Sequence, residues 1–125
     1  FTVVMNREKI QQLARAAGKV LGREDYDMYS PEALIIPSNS KESRFGRDDN
    51  ACAMENIFLA AHSLGIGSVW INQLHGICDE PAVREVLREF GIPDDHVVYG
   101  LAALGYADDT VIQPKERIGT VAWIR

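Results

Sequence analysis

A chain of 125 residues, 46% hydrophobic and 25% charged, can bury a core of its own and leaves little room for a second, so one domain over residues 1–125 is expected. A formal charge of -5 and a pI near 5.1 exclude a global positive field of the kind that draws proteins to nucleic acid or anionic membrane, so neither partner is expected. Cys52 and Cys78 have no CxxC spacing, and no apolar run reaches transmembrane length; a reducing, cytoplasmic location is the corresponding expectation.

The chain opens without an initiator methionine, directly in a strand-like run from Phe1 to Met5, a start that processing or truncation of a longer protein would equally give. Asn6 is placed to cap a helix whose apolar positions Ile10, Leu13, Ala14, Ala17 and Leu21 follow helical spacing until Gly22. Residues 23–31 are polar and turn-rich, and Ala33 to Ile36 reads as a second strand stopped by Pro37. The loop from Ser38 to Arg47 carries Lys41, Arg44 and Arg47 and reads either as a solvated loop or as a lid or anion contact.

Asp48 or Asp49 then opens a long helix on which Met54, Ile57, Phe58, Ala61 and Leu64 share one face. Alanines at 51, 53, 60 and 61 keep its surface low, which suits the close approach of another helix or a flat ligand. Gly65 stops the helix and Ser68 to Asn72 reads as a third strand, so Asp48 to Gln73 is expected to be one buried helix running into one buried strand. Asp79-Glu80-Pro81 opens another helix, buried through Val83, Val86, Leu87 and Phe90 and ended by Gly91 and Pro93. Val97 to Tyr106 is a nearly continuous apolar run, as an interior strand requires, and Thr120 to Ile124 is a short β-like run beyond a polar loop holding Lys115 and Arg117. This order of elements implies a layered α/β or α+β fold with helices packed on one sheet.

Gly65-Ile66-Gly67-Ser68 follows a helix and precedes a strand, the reverse of a dinucleotide fingerprint, so these glycines read as a helix stop and a turn. GxxxxGK[ST], HExxH and GxSxG are all absent from the sequence, and His62, His75 and His96 are scattered. Cys52, in an alanine-rich helix, reads as a small core residue. With no intrinsic acid/base set, an enzyme built on this sequence would borrow its reactivity from a bound cofactor.

Asp48 to Ile71 carries Glu55-Asn56, Leu59-Ala60-Ala61, Leu64-Gly65, Gly67-Ser68 and Trp70-Ile71 in order. Pro81 to Leu87 (PAVREVL), Val97 to Ala107 (VVYGLAALGYA) and the pair Lys115, Arg117 follow. With these motifs the chain resembles the FMN-dependent nitroreductase family. The resemblance implies an α+β (α/β layered) nitroreductase-like fold, a central mixed and largely antiparallel sheet flanked by helices, here lacking the N-terminal part of the family domain. It implies an intertwined homodimer with FMN in the cleft between subunits, the tail 107–125 reaching across the dimer, and NAD(P)H and a small-molecule acceptor taking turns over the flavin. The implied reaction is hydride transfer to a nitroaromatic, quinone or similar acceptor. By the same resemblance the family's phosphate-binding basic pair maps onto Lys115 and Arg117, two cations able to converge on a phosphate dianion. The backbone N–H groups that face flavin N5 and O4 map onto Ile71, Asn72 and Gln73, where a donor would stabilise the reduced ring electrostatically. No side chain is implied as a catalytic acid or base, and the family's arginine-serine-arginine motif would lie upstream of Phe1. The alternative is a non-catalytic fragment, or a dimeric ligand-binding or structural module, without a complete flavin site.

Overall fold

A computed structural model describes residues 1–108, 116 and 118–125. Its elements are β1 (Thr2–Val4), α1 (Arg7–Leu21), β2 (Ala33–Ile36), β3 (Asn39–Ser40), α2 (Gly46–Ser63), β4 (Ile66–Ile71), a 3-10 helix (Gln73–Gly76), α3 (Pro81–Glu89), β5 (His96–Val97) and β6 (Leu101–Tyr106). Four strands form one sheet in the order β1-β2-β6-β4, and β3 pairs with β5 in a separate two-stranded ribbon. Every pairing among the described residues is antiparallel. This is the expected α+β architecture with its antiparallel sheet.

The side chains alternate across the sheet as strand geometry demands. Leu34 and Ile36 of β2, Leu101 and Ala103 of β6 and Ile71 of β4 join the core formed with α1 and α3. The registers Leu34 with Ala103 and Ile71 with Leu101 place these residues in line across the strands. Ile10, Leu13, Ala14 and Ala17 of α1 and Val83, Val86 and Leu87 of α3 cover that face, as their helical spacing anticipates. Asn6 caps α1 by accepting from the Lys9 N–H at 3.1 Å. α2 packs on the opposite face, against β4 and β6.

Several expectations are corrected. α2 starts at Gly46 after an N-cap at Phe45, so Asp48 and Asp49 sit in the first turn and favour the helix through its dipole. Its buried residues are Gly46, Asn50, Met54 and Ala61, a single strip; Ile57 and Phe58 are half-buried and Leu64 is exposed. Cys52 is exposed as well, because it lies well round the helix from Asn50. β4 is an edge strand with Ser68, Val69 and Trp70 exposed, so helix and strand are not one buried unit within a single chain. Strand β4 begins at Ile66, two residues earlier than expected, while Gly65 adopts the left-handed φ of 69° that ends α2.

The apolar run Val97 to Tyr106 is split. β5 leaves for the β3 ribbon, Val98 to Gly100 are not strand, and β6 begins at Leu101. Phe90 is half-buried, packed against the core rather than within it. Residues Thr120 to Ile124 form no strand and are exposed. Among the described residues no helix is long and apolar enough to cross a membrane, and no group of His, Cys, Asp and Glu is disposed to hold a metal ion.

Candidate functional site

The segment expected at a flavin edge lies where β4 leaves the sheet. Ile71 is fully buried and pairs with Leu101 at the start of β6, which fixes the end of the strand in the core. Asn72 is exposed, and its N–H donates to Oε1 of Gln73 at 3.1 Å. Gln73 opens the 3-10 helix, whose first turn bond runs from the His75 N–H to the Asn72 carbonyl at 3.4 Å. The Gln73 and Leu74 N–H groups therefore precede the bonds that the turn makes to itself. Ile71, Asn72 and Gln73 are consecutive, so their adjacency is given by the chain itself. Lys115 and Arg117 lie outside the described residues.

Residues 98–100 lie beside this segment and lock it. The Trp70 side chain, 40% exposed, lies directly on Gly100, so that a Cβ at position 100 would sit 2.7 Å from Trp70 Cε2 and nearer still to Nε1. Phe58 of α2 packs on the same indole with ring centroids 6.1 Å apart. Asn50, also on α2 and 1% exposed, donates from Nδ2 to the Gly100 carbonyl at 3.0 Å. His75 stacks on Tyr99 at 5.3 Å between centroids. Cys78 closes the lock. Its Sγ–H donates to the Leu74 carbonyl at 2.8 Å and its sulfur accepts the Val98 N–H at 3.4 Å. Burial holds the Cys78 thiol above its ordinary pKa, so it stays protonated and able to donate.

Lys41, Arg44 and Arg47 of the basic loop are all exposed, in keeping with a solvated loop, and Lys41 is paired besides. Lys41 is tied to Asp79 at 2.7 Å and to the Asp94 carbonyl at 2.8 Å. Arg84, buried, donates to Asp79 Oδ1 at 2.9 Å and to the carbonyls of Pro93 and His96 at 3.0 and 2.9 Å. Lys41 and Arg84 lower the pKa of Asp79 by hydrogen bond and charge. The knot fastens the β3–β5 ribbon to the start of α3, and Ser38 Oγ contacts His96 Nδ1 at 2.9 Å within it. Arg44 lies over the Phe45 ring at 5.8 Å, and Arg47 is exposed. Sequence reasoning missed Asn50, Gly100, Cys78 and Arg84 as members of these arrangements. The signal available was polarity at helix positions that periodicity buries.

The concavities on the described surface lie elsewhere: one of about 560 Å³ runs along α1 from Arg7 to Arg15, and one of about 350 Å³ lies by Met5, Ala33 and Tyr106. A cleft of about 330 Å³ opens between residues 29–32 and the far end of β4 and β6, around Gly67 and Gly105, and does not include residues 71–73. A cavity of about 170 Å³ lies by Ser38, Asn39 and Asn50.

A four-stranded antiparallel sheet with α1 and α3 on one face and α2 on the other, ending in a locked β4–β6 edge, places the chain among layered α+β proteins. The Nitroreductase family profile matches residues 4–106, and the chain belongs to the nitroreductase family. A curated protein of Archaeoglobus fulgidus named "Putative NADH dehydrogenase/NAD(P)H nitroreductase" is 34% identical over 116 residues, which cover 87% of this chain and 61% of that protein. The chain thus spans about three-fifths of that relative's length. The structure of a Bacteroides fragilis nitroreductase with bound FMN is 39% identical with a TM-score of 0.87, covering 99% of this chain and 74% of that one. A nitroreductase with bound FMN from Desulfitobacterium hafniense, 19% identical with a TM-score of 0.78, covers 99% of this chain and 74% of that one and shows the shared fold.

Proposed function

We propose that this chain forms the sheet and flavin-edge portion of an FMN-dependent NAD(P)H oxidoreductase of the nitroreductase type, acting on a nitroaromatic, quinone or similar small acceptor. The observation that carries the reading is the 39% identity and 0.87 TM-score to a nitroreductase that binds FMN, over nearly the whole of this chain. The donor set is consistent with it. The amide of Gln73, a half-buried residue, stands ahead of the turn's own bonds, in the turn whose His75 stacks on Tyr99.

In this reading Ile71 anchors the strand, and the backbone of Asn72 and Gln73 meets the ring edge. Lys115 and Arg117 hold the phosphate. Bound FMN would supply the hydride chemistry, with NAD(P)H as electron donor. The protein's part is electrostatic. Fixed N–H dipoles aimed at an acceptor atom favour the charge that builds there, without reorganisation at the moment of reaction.

Assembly as a homodimer completes the cleft. Support comes from apolar surface that one chain leaves uncovered: Leu59 and Leu64 of α2, Trp70 of β4, and Ile118, Val121, Trp123 and Ile124 of the tail. The tail, 107–125, is proposed to reach across to the second subunit, and a cytoplasmic location fits this chemistry. The test is flavin binding by the protein that carries this sequence, read as a shifted visible flavin band and quenched flavin fluorescence. Lys115→Ala with Arg117→Ala should weaken FMN retention at least tenfold. A protein that neither shifts nor quenches FMN refutes the assignment, and unchanged retention in the double variant removes both cations from the site.

A further inference from the structure

We infer that Cys78 is a positioning residue for the flavin edge: its buried thiol ties the 72–76 turn to Val98 and thereby sets where the Gln73 backbone points. The inference rests on the proposed flavin site and adds to it the side chain that aims a main-chain contact.

The 3-10 turn has few restraints of its own. It holds four residues, of which His75 and Gly76 are exposed, as is Asn72 just before it. Short 3-10 segments have poor hydrogen-bond geometry and rely on outside contacts. Ile71 pins the turn from the sheet side, and the His75–Tyr99 stack pins its outer surface. Between them the Leu74 carbonyl accepts both the Ile77 N–H at 3.0 Å and the Cys78 Sγ–H at 2.8 Å. The same sulfur accepts the Val98 N–H at 3.4 Å, so one side chain satisfies a carbonyl of the turn and an amide of the facing segment. Cys78 is 3% exposed and Leu74 fully buried, so water does not replace either bond when the sulfur is removed. Losing the tie leaves the Leu74 carbonyl with the Ile77 N–H alone and parts the turn from Val98, so the turn that Gln73 opens can shift as a unit and carry the Gln73 amide with it. An apolar residue of the right size would fill the space and tie nothing.

The experiment compares Cys78→Ala, Cys78→Val and Cys78→Ser in the full protein. Hydrogen exchange without flavin is read at the Ile77 and Val98 amides. The visible spectrum and midpoint potential are then read with FMN bound. Alanine and valine are expected to speed exchange at both amides by about tenfold, the factor carried by one hydrogen bond of ordinary strength. Both should also shift the flavin band and lower the potential. Serine, which keeps a donor and an acceptor, is expected to restore all three readings, which a packing role alone would not do. Valine carries the comparison if alanine fails to fold. Unchanged exchange, or faster exchange with spectrum and potential at their wild-type values, overturns the inference while leaving the flavin site standing. Failure of the wild-type protein to bind FMN overturns the flavin site and with it the positioning role, with the exchange readings showing that the tie itself exists.

Discussion

Gly100→Ala is the sharpest test of how the β4–β6 edge is built. Gly100 does not have a positive φ, so alanine can adopt its backbone, and the obstacle is space. The new Cβ would lie 2.7 Å from Trp70 Cε2 and 3.0 Å from Cζ2, where carbon atoms ordinarily rest about 3.5–4.0 Å apart. Trp70 or the 98–100 backbone must therefore move by about 1 Å. Overpacking of this kind costs about 1–3 kcal/mol. Displacing the Gly100 carbonyl from Asn50 Nδ2 adds about 1 kcal/mol, and the stiffer unfolded chain returns about 0.4–1 kcal/mol. The net expectation is a loss of about 2 kcal/mol, or a fall in Tm of roughly 6–10 °C for a chain of this length. Denaturant titration followed by far-UV circular dichroism measures it without relying on the displaced indole. Trp70→Leu removes the clashing ring, so the double variant should lose at least about 1 kcal/mol less than the sum of the single losses. A Gly100→Ala protein within about 0.5 kcal/mol of wild type, or strict additivity with Trp70→Leu, refutes the close packing on which the site description rests.

Other substitutions separate the core, the ionic knot and the proposed interface. Leu87→Ala, at a fully buried position of α3, should cost about 2–5 kcal/mol in chemical denaturation, whereas Glu85→Ala on the same helix should stay within about 0.5 kcal/mol. Arg84→Met keeps the stem but abandons the Pro93 and His96 carbonyls, and a loss of about 2–4 kcal/mol is expected; a smaller loss would mean that the two carbonyls find other donors. Asp79 has its folded pKa lowered by Lys41 and Arg84, so its stabilising contribution is complete above the ordinary aspartate pKa and fades as pH falls through the lower folded value. In acid titrations of stability, Asp79→Asn should accordingly show a shallower decline below that ordinary pKa than wild type; identical slopes would dismiss the linkage. Leu59→Asp on the exposed side of α2 should leave the unfolding of a single chain nearly unchanged yet convert the proposed dimer to monomer in sedimentation velocity.

The elements most legible in the sequence are those whose burial is decided within one layer. α1 shows it best: Ile10, Leu13, Ala14 and Ala17 mark the face, with Leu21 half-buried at its end, and Asn6 the start and Gly22 the stop, because one continuous stripe of the helix meets both α3 and β2. α2 is harder to read, since its apolar residues run round more than one face. Met54 and Ala61 face the sheet while Leu59 and Leu64 stay outside, and periodicity does not say which neighbour, in this chain or another, an apolar stripe meets. The run from Val97 to Tyr106 reads as one strand because hydrophobicity is continuous there. The break comes from pairing: Val97 is committed to Asn39 and Leu101 to Ile71, and the chain between must cross from one sheet to the other under Trp70.

The candidate site was legible only as a location, and the reason is physical. Its proposed chemistry is carried by main-chain groups at residues 72 and 73, which every amino acid except proline supplies, so no side-chain pattern at those positions could announce it. What the sequence does carry is the apparatus that holds such a backbone still. A glycine where the indole of Trp70 sits close on the backbone, an asparagine buried on α2 to donate to that glycine's carbonyl, and a thiol bridging Leu74 to Val98 are each a side-chain choice forced by a backbone position. Side-chain identity should then be more constrained at Asn50, Cys78 and Gly100 than at Asn72 or Gln73, although the latter pair lies nearer the proposed flavin. A saturation library scored for flavin retention tests this ordering. Broad tolerance at 72 and 73, proline excepted, together with narrow tolerance at 50, 78 and 100 is the expected outcome; side-chain intolerance at 72 and 73 instead would place the chemistry in those side chains.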